Sequence, residues 1–186
     1  GHARIDKLFE NSSIDDVLYM DNDTICKPEF IKNLKHFIKP TLYKLENWHD
    51  LSGWCKTHHN NEMLYDYIKK TYLANSDRKV NVLNNGVIYL PYGDLSKMWI
   101  KKVIEVYTDL VNSNGYSYGM DQTSMSLVSF RMNIYNFFDK KSVDNVIHYY
   151  CEKKKYNLLF DNCGIIMSDN FVMNKKHTYV YDIIVK

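Results

Sequence analysis

Val17-Leu18-Tyr19-Met20 is a short apolar run that leads straight into Asp21-Asn22-Asp23-Thr24. An apolar run of this length bounded by turn-forming residues reads as a buried strand, here delivering two carboxylates at its C-terminal end. In open α/β sheets ligands bind in the crevice outside the carboxyl ends of the strands, so Asp21 and Asp23 can both turn toward one site. Two like charges held so close are best accommodated by a divalent cation. An oxygen-rich site of this kind suits Mg²⁺ or Mn²⁺, held by one or two carboxylates together with substrate phosphates. The same D-x-D pair also fits an Asx-type turn with solvated carboxylates, so the rest of the chain has to decide between them.

Working outward, Ile5 to Asn11 reads as one or two helical turns upstream of the strand. Downstream, Pro28 sits where a helix would begin, and Phe30, Ile31, Leu34, Phe37 and Ile38 follow at helical spacing, a face that should pack on the sheet. Residues 40–78 are irregular and polar, with Trp48, His49, Trp54, His58 and His59, and include a helix around Glu62 to Tyr72. Val80 to Leu90 reads as a strand interrupted by Asn84-Asn85-Gly86, and Asp94 to Val111 as an amphipathic helix capped by Asp94. A further helix spans Thr123 to Phe130. Val143 to Tyr150 is strand-like, Glu152 to Lys155 is a basic turn, and the tail alternates strand-like pieces up to Lys186. Strands alternating with helices imply an α/β fold with a mixed, mainly parallel sheet flanked by helices. No internal repeat or low-complexity linker divides residues 1–186, which read as a single domain.

Composition narrows the classes. The chain has 186 residues, 45% hydrophobic and 25% charged, which is globular in character. At this length roughly 70% of the unfolded surface can be buried without metal or disulfide staples. Lys+Arg 24 against Asp+Glu 22 gives a formal charge of +2, which lacks the basic excess that coating nucleic acid requires. A small phosphate-bearing ligand remains open. Cys26, Cys55, Cys151 and Cys163 form no C-x-x-C pair and read as ordinary buried thiols in a reducing compartment. With no stretch approaching a membrane span and no secretory leader, a cytoplasmic location is the expectation.

Two enzyme classes place D-x-D after a strand. In haloacid-dehalogenase-type phosphatases the two acids are nucleophile and general acid, but that scheme wants Thr or Val where Ile25 stands, and Gly93-Asp94 has no second acid shortly downstream. The other class is the GT-A glycosyltransferases. Ala3-Arg4-Ile5, Val17 to Asp23, Leu83-Asn84-Asn85-Gly86-Val87, Met120-Asp121-Gln122-Thr123, Tyr135-Asn136-Phe137 and Ile147-His148-Tyr149 follow one another in the order seen in glycosyltransferase family eight. The chain resembles that family, the glycogenin and lipopolysaccharide galactosyltransferase type, along its whole length.

The resemblance implies retaining transfer of a hexose from a UDP-sugar donor to the hydroxyl of a carbohydrate or glycan acceptor, with Mn²⁺ or Mg²⁺ as cofactor. Carried over residue by residue, it makes Asp21, Asp23 and His148 the metal site, with Asp21 also near the ribose. Asn84 and Gly86 match the family's Asn-x-Gly-Val, where the glycine lets a ligand approach the backbone and the amide reads sugar hydroxyls. Asp121 would bind a donor-sugar hydroxyl and Gln122 would sit beside the anomeric carbon. Arg4 matches an arginine that reaches the donor. The family follows its histidine with a Lys-Pro-Trp that grips the diphosphate. Here Lys153-Lys154-Lys155 supplies a lysine instead, of which Lys154 is the candidate.

Two departures stand out. Thr123 replaces a second family Asp, which leaves the donor sugar open. Family members also carry nucleotide-binding strands before the arginine, so the expectation is a GT-A-like fold with those N-terminal strands truncated. A non-catalytic sugar or nucleotide-sugar binding module, a fragment that kept the metal site and lost the uridine pocket, is therefore the competing reading.

Overall fold

The computed structural model describes residues 16–21, 24–43, 50–59, 62–74, 76, 78–148, 165–167 and 183–185. Strand β1 forms where the apolar run predicts it, Val17–Met20. The chain continues through β2, Thr24–Cys26, and helix α1, Pro28–Asn33, which begins on its proline and ends in a 3-10 turn, Leu34–His36. Strand β3, Thr41–Tyr43, is followed by α2, Leu51–Trp54, and a π turn, Cys55–His59. Next come α3, Glu62–Tyr72, β4, Asn84–Leu90, and α4, Asp94–Asn114. Helices α5, Met120–Arg131, and α6, Lys140–Val143, lead to β5, Val146–His148, with β6, Ile165–Met167, and β7, Ile183–Val185, beyond.

The class is mixed α/β, but the strands do not pair as expected. The principal sheet has the order β1-β4-β3 and both of its ladders are antiparallel; β2 with β5 and β6 with β7 make two further antiparallel pairs. This corrects the mainly parallel arrangement. Alternating strands and helices imply parallel pairing only when each crossover returns the chain beside the strand it left. Here β4, reached after α2 and α3, enters between β1 and β3 and runs against both.

β4 is buried along nearly its whole length because both faces of the sheet are covered. Ile88 and Leu90 join a core with Leu51 and Trp54 of α2, Leu64 and Ile68 of α3, Trp99 and Leu110 of α4, and Met125 and Leu127 of α5. Val87 and Tyr89 face the other way, onto Phe30 and Leu34, Tyr43, Phe138 and Val146. This is the period-two alternation of a central strand. Each fully buried large side chain in these layers contributes about 1.5–3 kcal/mol.

Helix α4 presents Trp99, Ile100, Val103, Val106 and Leu110 at helical spacing. Asp94 is its first helical residue rather than its cap, which is Gly93 at φ 147°. Helix α5 is buried from Gln122 to Ser129, although four of those eight residues are Ser or Thr. The hydroxyls are satisfied locally and across the layer: Ser126 Oγ donates to the Gln122 carbonyl at 2.7 Å and accepts from Leu83 N at 3.0 Å, and Ser129 Oγ accepts from the Trp99 indole at 3.0 Å. Small polar side chains thus let α5 lie close under β4 without orphaned hydroxyls. Among the described residues no helix is long and apolar enough to cross a membrane.

Candidate functional site

The antiparallel pairing of β1 and β4 sets the C-terminal end of one beside the N-terminal end of the other. Asp21 N donates to the Gly86 carbonyl at 2.8 Å, extending the ladder one step beyond Met20. Asp21 lies two positions after Tyr19, so the two side chains share a face, and the Tyr19 hydroxyl donates to Asp21 Oδ1 at 2.7 Å. That face looks onto α4 and α5. The acidic strand end and the Asn-Asn-Gly segment do converge, through an antiparallel pair rather than through parallel strand ends.

The two asparagines have different tasks. Asn84 is 3% exposed and its Oδ1 accepts from Gly86 N at 2.9 Å, shaping the entry into the strand. The register of β3 on β4 jumps at this point, from Leu42↔Ile88 to Tyr43↔Asn84. Such irregularities re-aim side chains beside sites, and it is Asn85 that reaches the cavity lining. Its Nδ2 donates to Asp121 Oδ2 at 2.8 Å.

Asp121 and Gln122 stand in the first turn of α5, where the helix dipole favours a carboxylate. Gly119 precedes them at φ 81°, a left-handed conformation suited to glycine. The second Asp121 oxygen, Oδ1, accepts from Gln122 N at 2.8 Å, so the carboxylate is fixed by one donor on each oxygen. Gln122 is 6% exposed and its Nε2 has no hydrogen-bond partner among the described residues. A buried amide nitrogen left this way costs about 1–3 kcal/mol, and its position borders open space. Asp21, Asn85, Asp121 and Gln122 all line one cavity of about 510 Å³.

Residues that the sequence reading did not single out support this arrangement. Trp54 Nε1 donates to Thr123 Oγ1 at 3.2 Å, His59 Nε2 lies 3.0 Å from the same oxygen, and His59 Nδ1 pairs with Ser117 Oγ. The neutral ring with its proton on Nδ1 satisfies both hydroxyls. Burial and the neighbouring His58 lower the pKa of His59, against a smaller upward pull from Asp121. Thr123 is fully buried in this cluster, a costly place for a carboxylate. The far side of the cavity is aromatic and aliphatic, with Tyr107, Tyr116 and Tyr118. A signal for two of these is present in Gly115-Tyr116-Ser117-Tyr118-Gly119, aromatic residues between glycines just before Asp121.

For the metal set, Asp21 is at the cavity, and His148 is placed by its backbone at the end of β5, where it pairs with Thr24, the residue after Asp23. Asp23, Arg4 and Lys154 lie outside the described residues, as do the helical turns expected at Ile5 to Asn11 and the basic turn at Glu152 to Lys155. Among the described residues no group of three or more His, Cys, Asp or Glu could hold a metal ion. Cys55 is buried and desolvation pushes its thiol up to about 12, which makes it inert. Compared with protein families, curated proteins and solved structures, the chain matches none.

Proposed function

We propose that this chain is a GT-A-like glycosyltransferase domain that transfers a hexose from a UDP-sugar to an acceptor hydroxyl, metal-dependent and with retention. The observation that carries the reading is Gln122: a buried amide with an unpartnered Nε2 beside a carboxylate already fixed by two donors, both at the wall of one cavity. Carboxylate and amide together offer the acceptor and donor groups that sugar hydroxyls require.

In this reading Asp121 accepts a hydrogen bond from a donor-sugar hydroxyl, its orientation preset by Asn85. Gln122 lies beside the anomeric carbon, where its carbonyl oxygen stabilises developing positive charge. Asp21, Asp23 and His148 would hold the cation, and Arg4 and Lys154 would grip the donor. The bound Mn²⁺ or Mg²⁺ would neutralise the charge that builds on the departing diphosphate. The acceptor hydroxyl enters from the leaving-group face, and the departing phosphate oxygen takes its proton, so no side-chain base is needed.

Calorimetry with UDP, with and without Mn²⁺, on wild type and Asp23→Asn tests the reading. Binding should need the metal and weaken at least about tenfold in the variant; metal-independent binding or an unchanged affinity overturns the proposal. Gln122→Met adds an independent arm. It replaces the unpartnered amide by an apolar group of similar size and should raise Tm by about 2–4 °C per kcal/mol recovered, while UDP-hexose turnover falls at least about a hundredfold. A variant that turns over normally removes Gln122 from the mechanism, and UDP-sugar binding without turnover in wild type favours the non-catalytic module.

A further inference from the structure

We infer that the α4 wall of the cavity receives the acceptor, and that this acceptor is an amphipathic alcohol, a hydroxyl-bearing head joined to an alkyl or aryl body. The inference rests on the glycosyltransferase reading and supplies the substrate class that reading leaves open.

The carboxylates and amides of the cavity are gathered where β1 ends and where β4 and α5 begin. The facing wall is one stripe of α4, the largely buried Ile100 and Val103 with the more open Ile104 and Tyr107, at the three-and-four spacing of a single helix face, and Thr108 stands beside Tyr107. Met125, one turn along α5 from Asp121 and itself fully buried, backs the apolar side. A hydroxyl-studded sugar laid along that stripe would find only the Tyr107 and Thr108 hydroxyls at one end, and each hydroxyl lodged against Ile100, Val103 or Ile104 would lose its partners. An alkyl or aryl body loses nothing. Every methylene it buries is worth about fourfold in affinity.

Size and access agree. About 510 Å³ lies within the roughly 300–1,000 Å³ of pockets that enclose a drug-sized ligand, room for more than the reacting group alone. Tyr116 and Tyr118, each 71% exposed, stand at the rim, and their rings are amphipathic surfaces over which an apolar body can enter. Tyr107 marks the boundary between the halves. Its hydroxyl is held protonated by burial and by the neighbouring Tyr116 and Asp121, so it can donate to the acceptor's head as that head approaches Asp121.

The probes are n-octyl β-D-glucopyranoside, below its micelle threshold, and methyl β-D-glucopyranoside, titrated by saturation-transfer NMR, with Mn²⁺-UDP calorimetry run in parallel on the same protein. The octyl probe should bind at least about tenfold more tightly than the methyl one. That preference should shrink at least about fivefold in Ile104→Ser, which roughens the stripe, and in the doubly substituted Tyr116→Ala, Tyr118→Ala, whose exposed positions leave folding intact. Equal affinity for the two probes, or a preference that survives in both variants, overturns the inference. An octyl preference that the variants abolish, in a protein showing no Mn²⁺-dependent UDP binding, retires the donor reading and leaves the amphiphile site standing.

Discussion

His59 spans two hydroxyls, Ser117 on the rim loop and Thr123 in α5, and it does so as a neutral ring. Protonation would convert Nε2 from acceptor to donor and place a charge in a site already bordered by His58. Because burial holds its pKa below the usual 6.5, the unfolded chain takes up the proton more readily than the folded one. The stability linked to the neutral ring is therefore fully present above about pH 6.5. It falls as pH drops from there toward the depressed folded value, by up to about 1.4 kcal/mol per pH unit. Tm should fall between about pH 7 and pH 5 more steeply in wild type than in His59→Gln, whose amide can still meet both hydroxyls. Parallel slopes would show that the ring carries no such linkage. At this scale Asp21 is legible in the sequence as the acidic end of an apolar run, whereas Asp121 and Gln122 are singled out there only by the family resemblance. His59 and Asn85 are not legible there. A histidine in a polar stretch and the second of two asparagines acquire meaning only from the helix or the register jump that aims them.

Helix α5 begins against an indole ring. A Cβ placed on Gly119 would lie 2.9 Å from the Trp54 ring, and the backbone there has φ 81°. Gly119→Ala should therefore cost about 1–2 kcal/mol for the left-handed backbone and about 1–3 kcal/mol more for the collision, seen as a lower urea midpoint. In a Trp54→Phe background the smaller ring gives way, and the penalty should shrink by at least about 1 kcal/mol. An additive cycle would mean that the indole does not fix the helix start. The elements that frame this contact differ in how far the sequence discloses them. The helix around Glu62–Tyr72 and the body of α4 are read in the sequence, where Asp94 stands as the cap although it is the first helical residue. Thr41–Tyr43 and Leu51–Trp54 fall in a stretch that reads as irregular, because so few residues cannot display a period. The first is a strand because β4 pairs with it, the second a helix because Asp50 caps it at 3.0 Å and Leu51 and Trp54 are buried.

Strand direction is a property of the whole molecule. Nothing in the run of strands and helices says that β4 will enter between β1 and β3 and oppose both, since that is decided by which layers the long helices cover. The same assembly pairs β2 with β5 and sets Thr24 opposite His148, bringing the segment after the acidic strand end to a strand from far along the chain. A cation shared by Asp21, Asp23 and His148 would tie together segments that the unfolded chain keeps apart, so it would bind the folded state and not the unfolded one. Such binding adds RT ln(1 + [L]/Kd), about 2.7 kcal/mol at a hundredfold excess over Kd, or about 5–10 °C in Tm for a chain of this size. Mn²⁺ without nucleotide should give this shift in wild type, and Asp23→Asn and His148→Ala should each lose most of it. The two variants must fail together, because one ion needs ligands from both strands. A shift that survives in His148→Ala alone would confine the cation to the carboxylates, and no shift in wild type would remove the metal from the resting protein.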